Sequence, residues 1–127
     1  MYGDSSALVK LVVDEPESVA LEAYVHGRRA ALVTSRIALV EVPRAVTIAN
    51  PEARDEAWRL LESCLLVDVG DRLLRRAAAV ASPPVRTLDA IHLATAERVE
   101  ADEVVTYDRR LAVAAAERGF AVASPSH

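Results

Sequence analysis

The sequence predicts an α/β fold, a parallel sheet with helices on both faces. Three observations predict it. Short apolar runs of strand length alternate with stretches of helical periodicity. No two of these runs are joined by a hairpin turn signal, so each strand must reach the next by a crossover, and such crossovers are right-handed. The chain has 127 residues, about half of them apolar, which suits one compact domain over residues 1–127 with an aliphatic core.

The elements follow in order. Met1–Gly3 reads as the end of a first strand, and Asp4 follows it. Ser5 and Ser6 are helix-capping residues, so Ala7–Val13 is expected to be a short helix. Asp14-Glu15-Pro16-Glu17-Ser18 breaks that helix and starts another, with Pro at an early helical position. Val19, Tyr24 and Val25 are expected to face inward until Gly27 ends it. Ala30–Thr34 is a strand. Ser35 caps a helix carrying Ile37, Val40, Glu41 and Ala45, and Pro43 within it removes one hydrogen bond and should kink or restart it. Asn50-Pro51 interrupts the chain. Glu52–Ser63 is amphipathic, with Ala57, Leu60, Leu61 and Cys64 at helical spacing. Leu65–Val69 is a strand and Asp71–Ala81 a helix. Ser82-Pro83-Pro84 forms a rigid connection. Thr87 opens a helix, Glu103–Thr106 is a strand, a further helix follows Asp108, and Ala121-Val122-Ala123 is a final strand.

Composition excludes several classes. No apolar run approaches the length of a bilayer span, and there is no basic-then-apolar export signal at the start. Cys64 is alone, so neither an internal disulfide nor a thiolate metal cluster is possible. These features suit a cytoplasmic protein. The formal net charge is −4, unlike a typical nucleic-acid binder. Yet fourteen of the fifteen basic residues are Arg, Lys10 being the only Lys. Arg can grip phosphate through two parallel hydrogen bonds, although a GC-rich coding genome gives the same bias. The four glycines form no phosphate-binding loop.

Four of the nineteen acids stand apart from the solvated ones. Asp4 lies between a strand end and an apolar helix. Glu41 is embedded in Ile-Ala-Leu-Val-Glu-Val. Asp89 is flanked by Leu88, Ala90 and Ile91. Asp108 follows Val104-Val105-Thr106-Tyr107, beyond the carboxyl end of a strand, where α/β proteins bind ligands. Each has an ordinary alternative. Asp4 and Asp108 suit helix N-caps, and an acid at Asp89 is favoured by the helix dipole. Carboxylates about 5 Å apart repel by roughly 3 kcal/mol at an effective dielectric near 20. A fold that gathers them needs a counter-charge. Mg²⁺ or Mn²⁺ is bound by one or two carboxylates and keeps several waters, and Ser6 and Thr106 are placed to orient the acids. Zinc is disfavoured by scattered histidines and the absence of a Cys pair. His92, one helical turn from Asp89, is within reach of the same site but reads first as a satisfied helix residue.

These residues resemble the PIN-domain ribonucleases and, within them, the VapC toxins of bacterial type II toxin–antitoxin pairs. Asp4-Ser5-Ser6-Ala7-Leu8-Val9-Lys10-Leu11 is similar to the opening motif, and Val40-Glu41-Val42-Pro43-Arg44-Ala45 to the second. Thr87-Leu88-Asp89-Ala90-Ile91-His92-Leu93-Ala94-Thr95-Ala96 is similar to the third, and Thr106-Tyr107-Asp108-Arg109-Arg110-Leu111 to the fourth. The match covers essentially the whole chain. The resemblance implies a PIN-like sheet of about five parallel strands, a homodimer, a VapB-type antitoxin as partner, and Mg²⁺- or Mn²⁺-dependent endonucleolytic cleavage of RNA. It implies Asp4 and Asp89 as direct metal ligands, with Glu41 and Asp108 completing the catalytic cluster. Arg36, Arg86, Arg109 and Arg110, nearest the motif ends, are the candidates for steering the RNA backbone. Leu8, Val12, Leu21 and Val25 are candidate walls of a groove for an antitoxin helix. Two departures stand out: the first strand has only three residues before Asp4, which should loosen it, and Pro43 puts the position of Glu41 in question.

The rival class is a non-catalytic PIN-like module that only binds a protein, against which the four retained acids speak. A phosphoacceptor receiver domain needs a second acid beside Asp4 and a late Lys, and neither is present.

Overall fold

A computed structural model describes residues 1–28, 31–80 and 84–126. Among these, five strands form one sheet in the order β3-β2-β1-β4-β5, with every neighbouring pair parallel. They are β1 (Tyr2–Gly3), β2 (Val33–Ser35), β3 (Leu65–Val67), β4 (Glu103–Val105) and β5 (Ala121–Ala123). The helices are α1 (Ser5–Lys10), α2 (Ser18–His26), α3 (Ala38–Ala49), α4 (Arg54–Ser63), α5 (Asp71–Ala78), α6 (Thr87–Arg98) and α7 (Arg109–Glu117). A 3₁₀ turn at Pro51–Ala53 joins α3 to α4. The chain leaves β1 toward β2 and β3 on one side, then returns to place β4 and β5 on the other. The strand order therefore reverses between β1 and β4, the point at which such sheets bind ligands.

The pleat explains why both sheet faces are covered. Tyr2, Val33, Val104 and Val122 pack with Leu93 of α6 and Leu111 and Ala114 of α7. Their chain neighbours Met1, Leu32, Val105 and Ala123 pack on the other side with Ala7 of α1 and Leu21 of α2. A third cluster joins Leu8 to Val42 and Val46 of α3 and to Ala57 and Leu61 of α4. Helix α6 is buried from Ala90 through Ala96, because the sheet, α5 and α7 surround it. Gly119, at φ 90°, ends α7 in the left-handed conformation that disfavours a side chain.

Several expectations are revised. The short first strand is not loose: β1 pairs with β2 and β4, and the Asp4 N–H continues the ladder to the Val105 carbonyl at 3.3 Å. Helix α3 runs unbroken through Pro43. The lost helical bond costs about 3 kcal/mol, but Val42 and Val46 on the same face are fully buried, each worth about 1.5–3 kcal/mol, so packing wins. Helix α1 starts at Ser5 because Asp4, rather than a serine, caps it. Val19 is 75% exposed while Leu21 is fully buried; the inward stripe of α2 is Leu21, Tyr24 and Val25, and Val19 lies off it. Leu8 and Leu21 are core residues and are therefore not groove walls. Ala30 and the Ala81-Ser82-Pro83 stretch lie outside the described residues. No described helix is long and apolar enough to cross a membrane.

Leu93 ties α6 to the sheet face beneath the site, and it is 1% exposed. Leu93→Ala should lose about 2–5 kcal/mol, read as a lower urea midpoint with an unchanged slope.

Candidate active site

The carboxyl ends of β1 and β4 place Asp4 and Thr106 side by side. Asp4 is 3% exposed. Its Oδ1 accepts from Ser6 Oγ at 2.7 Å and from the Ala7 N–H at 3.1 Å, and its Oδ2 accepts from Thr106 Oγ1 at 2.7 Å. Ser6 Oγ in turn accepts the Tyr107 N–H at 2.9 Å. Thr106 Oγ1 accepts the Asp108 N–H at 3.0 Å. Ser6 and Thr106 therefore tie the first acid to the loop that carries the last. Burial pushes the Asp4 carboxyl above its ordinary value, opposed by the charge of His92 and by these hydrogen bonds.

Asp89 sits in the first turn of α6, where Oδ2 accepts the Arg86 N–H at 3.4 Å. Asp108 caps α7 and accepts the Arg110 N–H at 2.9 Å. The two carboxylates face each other. Burial raises the Asp89 carboxyl first, and the neighbouring Asp108 charge raises it further, against the Arg86 hydrogen bond and the His92 charge. Among the described residues, no Lys or Arg forms an ion pair with Asp4, Asp89 or Asp108. The N-termini of α1, α6 and α7 point at these acids, and such dipoles offset little more than about 1 kcal/mol each.

Glu41 approaches from α3 on the far side. Its Oε1 accepts from Ser5 Oγ at 2.6 Å and meets His92 Nε2 at 2.8 Å. Burial alone would raise this carboxyl, but the hydrogen bonds from His92 and Ser5 and the His92 charge outweigh it and hold the group below its ordinary value. His92, 3% exposed, lies between this acid and the sheet, its Nδ1 2.6 Å from Tyr2 Oη.

Thr106 thus ties Asp4 to the Asp108 loop, Asp89 neighbours Asp108 and Glu41 meets His92, but among the described residues no three His, Cys, Asp or Glu side chains converge enough to enclose a metal. Arg86 caps α6, and Arg109 and Arg110 open α7; all three are exposed. Arg36 is engaged with Asp68 at 3.3 Å. The sequence marks Ser5 only as a helix cap, assigns Tyr2 no role, and puts His92 one turn from Asp89 with a satisfied helix residue as its first reading. One signal was available: Tyr2 and Asp4 share strand parity, so both point toward the helix that carries Asp89 and His92.

The profile described as PIN domain matches residues 1–117. Ribonuclease VapC46 of Mycobacterium tuberculosis is 44% identical over 99% of this chain and 98% of its own length. Ribonuclease VapC47 of the same species is 34% identical, over 98% and 96%. In three dimensions the chain is similar to Mycobacterium tuberculosis VapC20, described as a sarcin-ricin loop cleaving toxin. The TM-score is 0.80 at 16% identity, over 98% of each chain. It is also similar to a chain of a toxin–antitoxin complex from Klebsiella pneumoniae, with a TM-score of 0.68 at 19% identity, over 84% of this chain and 85% of that one.

The raised carboxyls set a sign for stability. The folded chain holds protons on Asp4 and Asp89 more tightly than the unfolded chain, whose carboxyls titrate near 3.8. That contribution is present below the ordinary range and is lost as pH rises through the elevated titrations. Asp89→Asn should therefore raise the melting temperature at pH 7 in metal-free buffer. The gain should shrink as pH falls toward 4, which melting curves across that range will check.

Proposed function

From the premise that the chain belongs to the PIN-domain family, among its VapC ribonucleases, we propose that it is a divalent-metal-dependent endoribonuclease and the toxin of a toxin–antitoxin pair. The observation that carries the metal is the Asp89–Asp108 carboxylate pair beside the buried Asp4, which Thr106 ties to the Asp108 loop, with no Lys or Arg ion-paired to any of the three among the described residues. The donor set fits Mg²⁺ or Mn²⁺: hard oxygens, with direct protein ligands as few as one or two and water as the remainder. A full protein cage is not required, in keeping with the open arrangement of the acids. Asp4 and Asp89 would hold the ion, with Asp108 beside them. When bound, it supplies charge neutralisation at the scissile phosphate and acidifies water.

The chain's own residues do the rest. Ser6 and Thr106 orient Asp4 through both of its oxygens. Glu41, kept ionised by His92 and Ser5, is the group that accepts a proton from the attacking water. The water oxygen bonds to phosphorus as the bond to the leaving sugar oxygen breaks. Arg86, Arg109 and Arg110, exposed at the helix starts around the acids, grip flanking phosphates; Arg36 is the weakest of the four candidates because Asp68 already engages it. The antitoxin and a second copy of the chain are the protein partners expected on the same premise. The exposed apolar residues Val40, Ile48 and Trp58 offer surface to such partners.

Purified chain should cleave RNA with Mg²⁺ or Mn²⁺ and stop on chelation. Asp4→Asn and Asp89→Asn should each lose more than the roughly 10–100-fold typical of supporting residues. Cleavage that survives chelator and both substitutions would overturn the assignment. Mn²⁺ should also raise the melting temperature of the native chain, by about 2.7 kcal/mol of stability at one hundred times Kd. The Asp4→Asn/Asp89→Asn double variant should show no such rise.

A further inference from the structure

We infer that His92 is a positioning residue that clamps Glu41 by a single oxygen, with Tyr2 selecting the ring tautomer that makes the clamp possible. Three distances carry this. Tyr2 Oη lies 2.6 Å from His92 Nδ1, His92 Nε2 lies 2.8 Å from Glu41 Oε1, and Ser5 Oγ donates to the same Oε1 at 2.6 Å. An ionised carboxylate only accepts hydrogen bonds, so the hydrogen between His92 and Glu41 sits on Nε2. A ring with its one hydrogen on Nε2 accepts at Nδ1 from the Tyr2 O–H, whereas an imidazolium keeps the bond to Glu41 and would donate to Tyr2 instead. Of the hydroxyls near Tyr2 Oη, Thr95 Oγ1 already donates to the Ile91 carbonyl at 2.6 Å, and the otherwise unpartnered Thr34 Oγ1 can donate to Oη and leave the Tyr2 proton for Nδ1.

The chain of contacts runs from the sheet to the site. Tyr2 is fully buried in the central strand and His92 is 3% exposed on the most enclosed helix, so neither end can drift. The ring also meets the Tyr2 ring edge-on, with centroids 5.8 Å apart. At the outer end the Glu41 side chain remains 24% exposed. Both anchoring bonds fall on Oε1 and neither on Oε2. Oε2 is therefore the working oxygen, held at a fixed position by a partner that never meets the substrate. The same clamp accounts for how Glu41 keeps its place in a helix that contains Pro43.

The inference rests on the ribonuclease reading for its kinetic consequence but not for its structural one, so two measurements separate them. First, ¹⁵N-resolved imidazole NMR of the native chain should show His92 protonated at Nε2. A ring protonated only at Nδ1 would overturn the clamp, and one protonated at both nitrogens would overturn Tyr2 as selector of the tautomer, whether or not RNA is cut. Second, kcat and KM for RNA cleavage should be compared in His92→Leu, His92→Gln and Tyr2→Phe, each checked for native melting. His92→Leu should lower kcat by roughly 10–100-fold with KM little changed, as for residues that orient others. His92→Gln, whose amide can donate to Oε1, should recover most of the loss. Tyr2→Phe should fall between them and show a mixture of tautomers. A folded His92→Leu with native kcat, or a loss that His92→Gln fails to recover, would overturn the positioning role. An Nε2-protonated ring in a chain that cuts no RNA would instead sink the ribonuclease reading and leave the clamp standing.

Discussion

Negative charge confined at the end of two adjacent parallel strands is the constraint on which the rest of this structure depends. β1 and β4 are neighbours only because the strand order reverses between them. That reversal brings Asp4 and the Thr106–Asp108 loop together from opposite ends of the chain. The helix that fills the space above them, α6, adds Asp89. Its deep burial fixes the acid's position, since moving it would disturb a core packed on three sides. The fold therefore holds like charges together at a cost that burial deepens and that helix N-termini and hydrogen bonds only partly offset.

The ordinary and the functional readings of these acids turn out to be compatible. Asp4 and Asp108 are helix caps, and Asp89 accepts an N–H at the start of α6. Capping explains why an acid is tolerated at each position. It does not explain why Asp89 and Asp108 are pressed against each other so that one raises the other. A cap needs one acid per helix and no neighbour. Glu41 differs from the other three: it lies in the first turn of α3 but accepts from the side chains of His92 and Ser5 rather than from a helix N–H. It is the member of the set with a built-in partner.

Much of this was legible in the sequence, for identifiable reasons. Alternating strand-length and helix-length apolar patterns gave the parallel α/β architecture, because pleat and helix periodicities differ. Asp4, Asp89 and Asp108 stood out because each was acidic amid apolar neighbours. Ser6 and Thr106 stood out as hydroxyls beside those acids, and both reach Asp4. What pattern could not show was contact between distant elements. Tyr2 and His92 are ninety positions apart and meet only once β1 lies under α6. Pro43 misled because its local cost was visible while the burial of Val42 and Val46 was not. Periodicity marks the apolar face of Leu8 and Leu21 without saying what covers it, and here it is the core that does.

Burial and the Asp108 charge together displace the Asp89 carboxyl upward. The most direct measurement is the titration of the Asp89 carboxyl carbon by NMR, in the native chain and in Asp108→Asn, without divalent metal. The midpoint should lie above the ordinary 3.8 in the native chain and move back toward it when the Asp108 charge is removed. A native midpoint at the ordinary value, or one indifferent to Asp108, would contradict the claim that this fold gathers uncompensated charge.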